Sequence, residues 1–198
     1  MSDPRLFVAI PIPPDIRSAL KQEMESMRML YRFHKWVHPD DLHITLKFLG
    51  AASPEARRQM VQGLSDLTGS LGSFTLRLEG WGTFGRPASP GILWEGVGGD
   101  LDRLSLLQAA VEQAASQSGF EREEHPYRPH LTVARKYSGA SPFQLDQWTA
   151  HLKNQDVPLR TWRVQEVVLY QSHLGRTPMY EKIELFHLAD DEGILQHI

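Results

Sequence analysis

Two histidines, each followed two positions later by a threonine, dominate the chemistry open to this chain. They are His43-Ile44-Thr45-Leu46 and His130-Leu131-Thr132-Val133. The stretches around them repeat each other: residues 38–54 read HPDDLHITLKFLGAASP and residues 125–142 read HPYRPHLTVARKYSGASP. A strand has a side-chain period of two, so His and Thr one residue apart share a face. Two such strands facing across a cleft would offer two imidazoles and two hydroxyls to one small ligand. Imidazole titrates near neutral pH. One ring can therefore take a proton from water while the other gives one to a departing alkoxide. Charge building on phosphoryl oxygens needs donors already in place, which Thr45, Thr132 and a nearby arginine would supply. The layout fits paired proton transfer at phosphorus.

The flanking pattern says which elements must hold these residues. Residues 5–11 (RLFVAIP) form a compact apolar run that reads as a buried strand. Pro14 opens a helix carrying Ile16, Leu20, Met24, Met27 and Tyr31 at helical spacing. Residues 36–50 hold the first motif strand. Leu42, Ile44, Leu46 and Phe48 are expected on its core face, and His43, Thr45 and Lys47 on the other. Ser53-Pro54-Glu55 caps a second helix. Strands follow at 74–80 and 92–97, joined through a Gly- and Pro-rich turn at 85–91. A third helix runs over 100–118 and ends at Gly119. The second motif strand covers about 129–135, and Ser141-Pro142 caps a fourth helix. Strands at 163–172 and 179–188 close the chain, ahead of a weakly patterned tail at 190–198. This order predicts an α+β, bilobal, duplicated fold: two antiparallel sheets line a central groove, with helices outside. Residues 1–198 are expected to act as a single unit of two pseudo-symmetric lobes.

Composition bounds the partners. The net charge is −3, from 21 Lys and Arg against 24 Asp and Glu, which is wrong for coating long nucleic acid. An RNA terminus or a small fragment, held by a local patch of Arg122, Arg128, Arg135 and Lys136, is the form of binding that remains. There is no cysteine, so thiolate and disulfide chemistry are excluded. No secretory signal and no apolar run of spanning length is seen, so a cytoplasmic location is expected. No HExxH-like spacing appears, so neither metal nor cofactor is expected. His38 and His125 each open a His-Pro and read as loop residues. Phe48, Phe84 and Tyr127 are candidates to stack a nucleobase, and Trp94 reads as packing.

With these residues in view, the chain resembles the two-histidine phosphoesterase superfamily. Within it, the chain is most similar to the RNA 2′,3′-cyclic phosphodiesterases, also called the 2′-5′ RNA ligase (LigT-like) family. The resemblance runs from Arg5-Leu6-Phe7-Val8-Ala9-Ile10 through Leu42-His43-Ile44-Thr45-Leu46-Lys47-Phe48-Leu49-Gly50. It continues through Ile92-Leu93-Trp94 and Arg128-Pro129-His130-Leu131-Thr132-Val133-Ala134-Arg135 to Leu169-Tyr170-Gln171-Ser172. It implies a metal-independent enzyme that opens a 2′,3′-cyclic phosphate at RNA 3′ ends or in nucleotides to a 2′-phosphate. His43 and His130 would be catalytic, and Thr45, Thr132 and Arg135 would bind substrate. It implies further that His43 donates to the 3′ oxygen and His130 activates water, an assignment the residues alone leave open. No membrane and no protein partner is implied. The alternatives are 2′-5′ ligation by the reverse step, or a non-catalytic module that binds RNA termini. Strict alternation puts Arg135 on the face of Leu131 and Val133, so a bulge or twist near Ala134 is required to turn it toward His130.

Overall fold

Strand β1 (Arg5–Pro11) is buried because both of its faces are covered. Leu6, Val8 and Ile10 enter the main core, while Phe7 and Ala9 join a smaller cluster with Val168, Tyr170 and the half-buried Tyr180. That explains a continuous apolar run where one-sided burial would give alternation. The structure, a computed structural model, describes residues 3–153 and 160–190. The expected tail beyond Asp190 lies outside the described residues.

Among the described residues, four helices feed the main core, the last through Trp148. Helix α1 (Pro14–Leu30) begins with proline in its first turn and buries Ile16, Leu20, Met24 and Met27. Helix α2 (Pro54–Thr68) is capped by Ser53, whose hydroxyl accepts from the Ala56 amide at 3.2 Å. Helix α3 (Leu101–Gln117) buries Leu104, Leu107 and Val111. A fourth, α4, spans Asp146–Lys153. It starts later than Ser141-Pro142 suggested, after a loop in which Phe143 is buried. Among the described residues, no helix is long and apolar enough to cross a membrane.

The remaining strands are β2 (Phe33–Trp36), β3 (His43–Ala51), β4 (Phe74–Arg86), β5 (Ser89–Gly99), β6 (His130–Tyr137), β7 (Arg160–Val164), β8 (Glu166–Ser172) and β9 (Tyr180–His187). All pair antiparallel in one nine-stranded sheet of order β7-β4-β5-β6-β3-β1-β8-β9, with β2 added to β6. The mixed α and β content is as expected, but the two sheets are joined into one. The join is a direct β3–β6 pairing limited to Ile44 opposite Leu131. Three local readings also change. The expected turn at 85–91 is mostly ladder, because β4 and β5 stay paired up to Arg86 and Ser89. The strand expected over 163–172 is two strands, interrupted at Gln165 and paired with different neighbours. Strand β2 gave no separate signal; its four residues are too few to show a period.

Candidate active site

The short β3–β6 pairing builds the site. In an antiparallel pair, Ile44 opposite Leu131 sets His43 across from Thr132 and Thr45 across from His130. All four side chains are half-buried. Because the ladder is so short, the strands part on either side of these four residues and leave an open groove. The histidines are anchored alike. His43 Nδ1 lies 2.7 Å from the Asp41 carbonyl oxygen, and His130 Nδ1 lies 2.7 Å from the Arg128 carbonyl oxygen. A carbonyl only accepts, so each Nδ1 carries hydrogen. Each neutral ring therefore keeps its lone pair on Nε2.

Backbone bulges decide what else faces the groove. In the β5–β6 ladder Trp94 pairs with Thr132 and Leu93 with Ala134, so Val133 is the extra residue. Val133 and Ala134 are both buried in the core, and the alternation restarts with Arg135 on the His130 face. The bulge that Arg135 required is present. Its charge lowers the pKa of both histidines, and it has no carboxylate partner among the described residues. A matching bulge occurs in β3, where Ala9 pairs with Thr45 and Val8 with Lys47, leaving Leu46 as the extra residue. Here the sequence expectation is inverted. Lys47 turns toward α3, 5% exposed in the wall of the neighbouring cavity, where its Nζ donates to Glu112 Oε1 at 2.8 Å and to the Glu121 carbonyl at 2.7 Å. Phe48 leaves the core face and stands 64% exposed on the groove side, 6.0 Å from Phe7.

The rings sit in apolar surroundings. His43 contacts Phe7 at 4.8 Å and the edge of Tyr180 at 5.2 Å, and His130 contacts Phe84 at 4.9 Å. Burial disfavours the charged imidazole. It is the main reason that His43 is held down to about 4, with the Arg135 and His130 charges adding to the effect. His130 is also lowered, first by burial and then by Arg135. In the free protein both rings are therefore neutral at pH 7.

Beside this cluster opens a cavity of ≈ 790 Å³ whose lining includes Thr45, Phe48, Phe84, Tyr127, Arg128 and His130. The Tyr127 hydroxyl donates to the Thr45 carbonyl at 3.1 Å across its wall. All three aromatic residues considered for base stacking thus lie at the cavity. Of the expected basic patch, Arg128 and Arg135 are at the site. Arg122 instead turns toward Ser116 at the end of α3, and Lys136 is exposed. His38 accepts from the Asp40 amide away from this cavity, whereas His125 pairs with Glu123 and these two line its outer wall. Trp94 stands opposite Gly82, where an added Cβ would lie 2.2 Å from the indole, and Phe84 lies 5.3 Å away. Sequence reasoning missed the floor under His43, made by Phe7, Tyr170 and Tyr180. Phe7 and Tyr170 read as core strand residues, and the two strands that carry the tyrosines lie far from the motif in the chain.

A groove of this kind places the chain among the two-histidine phosphoesterases. The family model of the 2′-5′ RNA ligase superfamily matches residues 13–176. An RNA 2′,3′-cyclic phosphodiesterase of Bacillus subtilis (strain 168) is 34% identical over 192 residues, covering 94% of this chain and 97% of its own length. One from Geobacillus stearothermophilus is 33% identical over 92% of this chain, and the match spans 56% of that longer relative. The crystal structure of E. coli LigT complexed with 3′-AMP superposes with a TM-score of 0.71 at 25% identity, covering 94% of this chain and 99% of that one. The chain belongs to the 2′-5′ RNA ligase superfamily.

Proposed function

We infer that this protein hydrolyses 2′,3′-cyclic phosphates at RNA 3′ ends or in nucleotides, leaving a 2′-phosphate, without a metal. One observation carries the reading: the Ile44–Leu131 pairing puts two imidazoles, each bonded through Nδ1 to a carbonyl, beside two threonines, with the charge of Arg135, which has no carboxylate partner among the described residues, acting on both rings. The curated relatives named for this activity and the LigT structure with 3′-AMP support it.

In the proposed reaction one Nε2 takes the proton of the attacking water and the other Nε2–H protonates the leaving 3′ oxygen. Following the resemblance, His130 is the base and His43 the acid. An acid must be charged, and the free groove disfavours that for both rings. The phosphate anion supplies the missing negative charge. It offsets Arg135 and raises the acid's pKa on binding. Thr45, Thr132 and Arg135 hold the phosphoryl oxygens as charge accumulates. The nucleoside occupies the cavity between Phe48 and Phe84. The whole chain acts as one unit of two lobes about the groove, and its cysteine-free composition suits the cytoplasm.

The test is incubation with a 2′,3′-cyclic nucleotide in EDTA, followed by identification of the product. A 2′-monophosphate is expected. His43→Ala and His130→Ala should each lose roughly 10²–10⁴ in turnover while remaining folded. Binding without turnover would make the protein a terminus-binding module, and loss of activity on chelation would overturn the metal-free mechanism.

A further inference from the structure

His43 is held from behind by a residue that sequence reasoning passed over. Asp41 ends a 3-10 turn, Pro39–Asp41, just ahead of β3. Its side chain is buried, with the residue 7% exposed. Its carbonyl oxygen takes the His43 Nδ1–H at 2.7 Å. Its carboxylate accepts from the Met179 amide with both oxygens, at 3.0 and 2.8 Å, and from the Tyr180 amide at 2.9 Å. Hydrogen bonds to an ionised acceptor are the strong ones, and they offset the cost of burying the carboxylate. They fasten the start of β9 to the turn that carries His43. Tyr180 then sets its ring edge against His43 at 5.2 Å and 83°, and against Phe7 at 4.8 Å and 74°. Burial raises the Tyr180 pKa and the Arg135 charge pulls it back, so the hydroxyl is within the field of the groove.

The second histidine lacks this arrangement. His130 Nδ1 meets a carbonyl at the same 2.7 Å, but the residue supplying it is the exposed Arg128. The two halves of the site are alike in the histidine–carbonyl bond and differ in what holds the carbonyl.

We propose that Asp41 is a positioning residue, whose carboxylate locks the 41–43 turn and the start of β9 together and so fixes the direction of His43 Nε2. The role rests on His43 being one of the two proton-transfer groups inferred above. Asp41 does not touch substrate and acts through His43 and Tyr180. A loosened His43 would still let the phosphate bind on Arg135 and the threonines, so the loss should appear in kcat rather than KM.

The experiment is Asp41→Asn in the full chain. Asparagine keeps the size but turns an NH2 toward the Met179 amide, donor against donor. On a 2′,3′-cyclic nucleotide, kcat should fall roughly tenfold, the scale for removing a partner behind a reacting group, with KM changed less than about threefold. The imidazole 15N resonances and titration of His43 should shift, with those of His130 unchanged. Asp41→Ala should do the same more strongly. If it does not fold, the asparagine variant carries the test. A lowered melting temperature with unchanged kcat, pH profile and His43 resonances would make Asp41 purely structural and overturn the proposal, as would equal shifts at both histidines. If the wild-type protein turned over no cyclic phosphate, the functional reading would fall, and the His43 resonances would still report whether Asp41 orients the ring.

Discussion

Lowering the pH from 7 to 4 should reveal His43 as a stability element, apart from its proposed part in the reaction. Burial holds its pKa down to about 4 in the folded protein, against an ordinary value of 6.5 for a solvated ring. Between these values the unfolded chain binds the proton and the folded chain does not, so stability falls as pH falls from 6.5 and levels off below 4. At 1.36 kcal/mol per pH unit the full loss is about 3 kcal/mol, a large part of the stability of a small protein. The raw curve will not show it cleanly. Glu95 is buried with Arg160 and Glu23, and burial pushes its pKa up to about 8, against the Arg160 charge. Between pH 4.5 and 8 that folded carboxyl holds the proton while the unfolded one has lost it, so its contribution falls as pH rises. The two slopes oppose each other over pH 4.5–6.5. His43→Asn removes only one of them, because an amide NH2 can still donate to the Asp41 carbonyl and does not titrate. Urea unfolding of both proteins in phosphate-free buffer across pH 4–7 should give a stability difference that narrows by about 3 kcal/mol toward pH 4. Curves that stay parallel to within about 0.5 kcal/mol would show that His43 is not held neutral by burial.

Arg135→Ala should lower kcat/KM for a cyclic nucleotide by roughly 10²–10³, and Arg135→Lys should restore only part of it, because a lysine cannot present two parallel donors; steady-state kinetics decides. Lys47→Met should destabilise by about 3 kcal/mol in denaturant unfolding, because it leaves the Glu112 carboxylate half-buried without its cation, and Lys47→Met combined with Glu112→Gln should recover much of the loss. Phe48→Ala should leave the melting temperature nearly unchanged, since the ring is exposed, while raising KM for a cyclic nucleotide more than the inhibition constant of inorganic phosphate.

The motif histidines and threonines were legible because each His-x-Thr lies ahead of its bulge, where the two-residue period still holds, and the order of most elements followed from runs, caps and glycines. The mixed fold class followed from the same order. What the sequence could not carry was phase. Leu46 and Val133 are ordinary apolar strand residues, and nothing in their identity says that each is the extra residue of a bulge. Lys47 therefore read as an open face residue beside His43 and Phe48 as core, whereas Lys47 is buried on Glu112 in the cavity wall and Phe48 is exposed. Arg135 was one of four patch cations by composition, and only the family resemblance, against the alternation, singled it out for the His130 face. Asp41 and Tyr180 were silent for another reason: their contact joins residues 139 apart in the chain. A local pattern holds no information about such a pair.

The two bulges fall at the same place in the repeated motif. Each extra residue stands three positions after the histidine, and each turns the residue at position five onto the groove: Phe48 after His43 and Arg135 after His130. The strands thus present the same three positions with the same geometry, and differ only in the third side chain. One strand contributes an exposed ring, the other a guanidinium with no carboxylate counter-ion among the described residues. A ligand that satisfies both must be anionic at one end and flat and apolar at the other, which is the form of a nucleoside phosphate and not of inorganic phosphate or a simple phosphodiester. The charge of Arg135 is placed where it lowers both imidazole pKa values until an anion arrives. An empty groove therefore keeps both rings neutral, and in the proposed reaction the phosphate to be cleaved is what charges the acid.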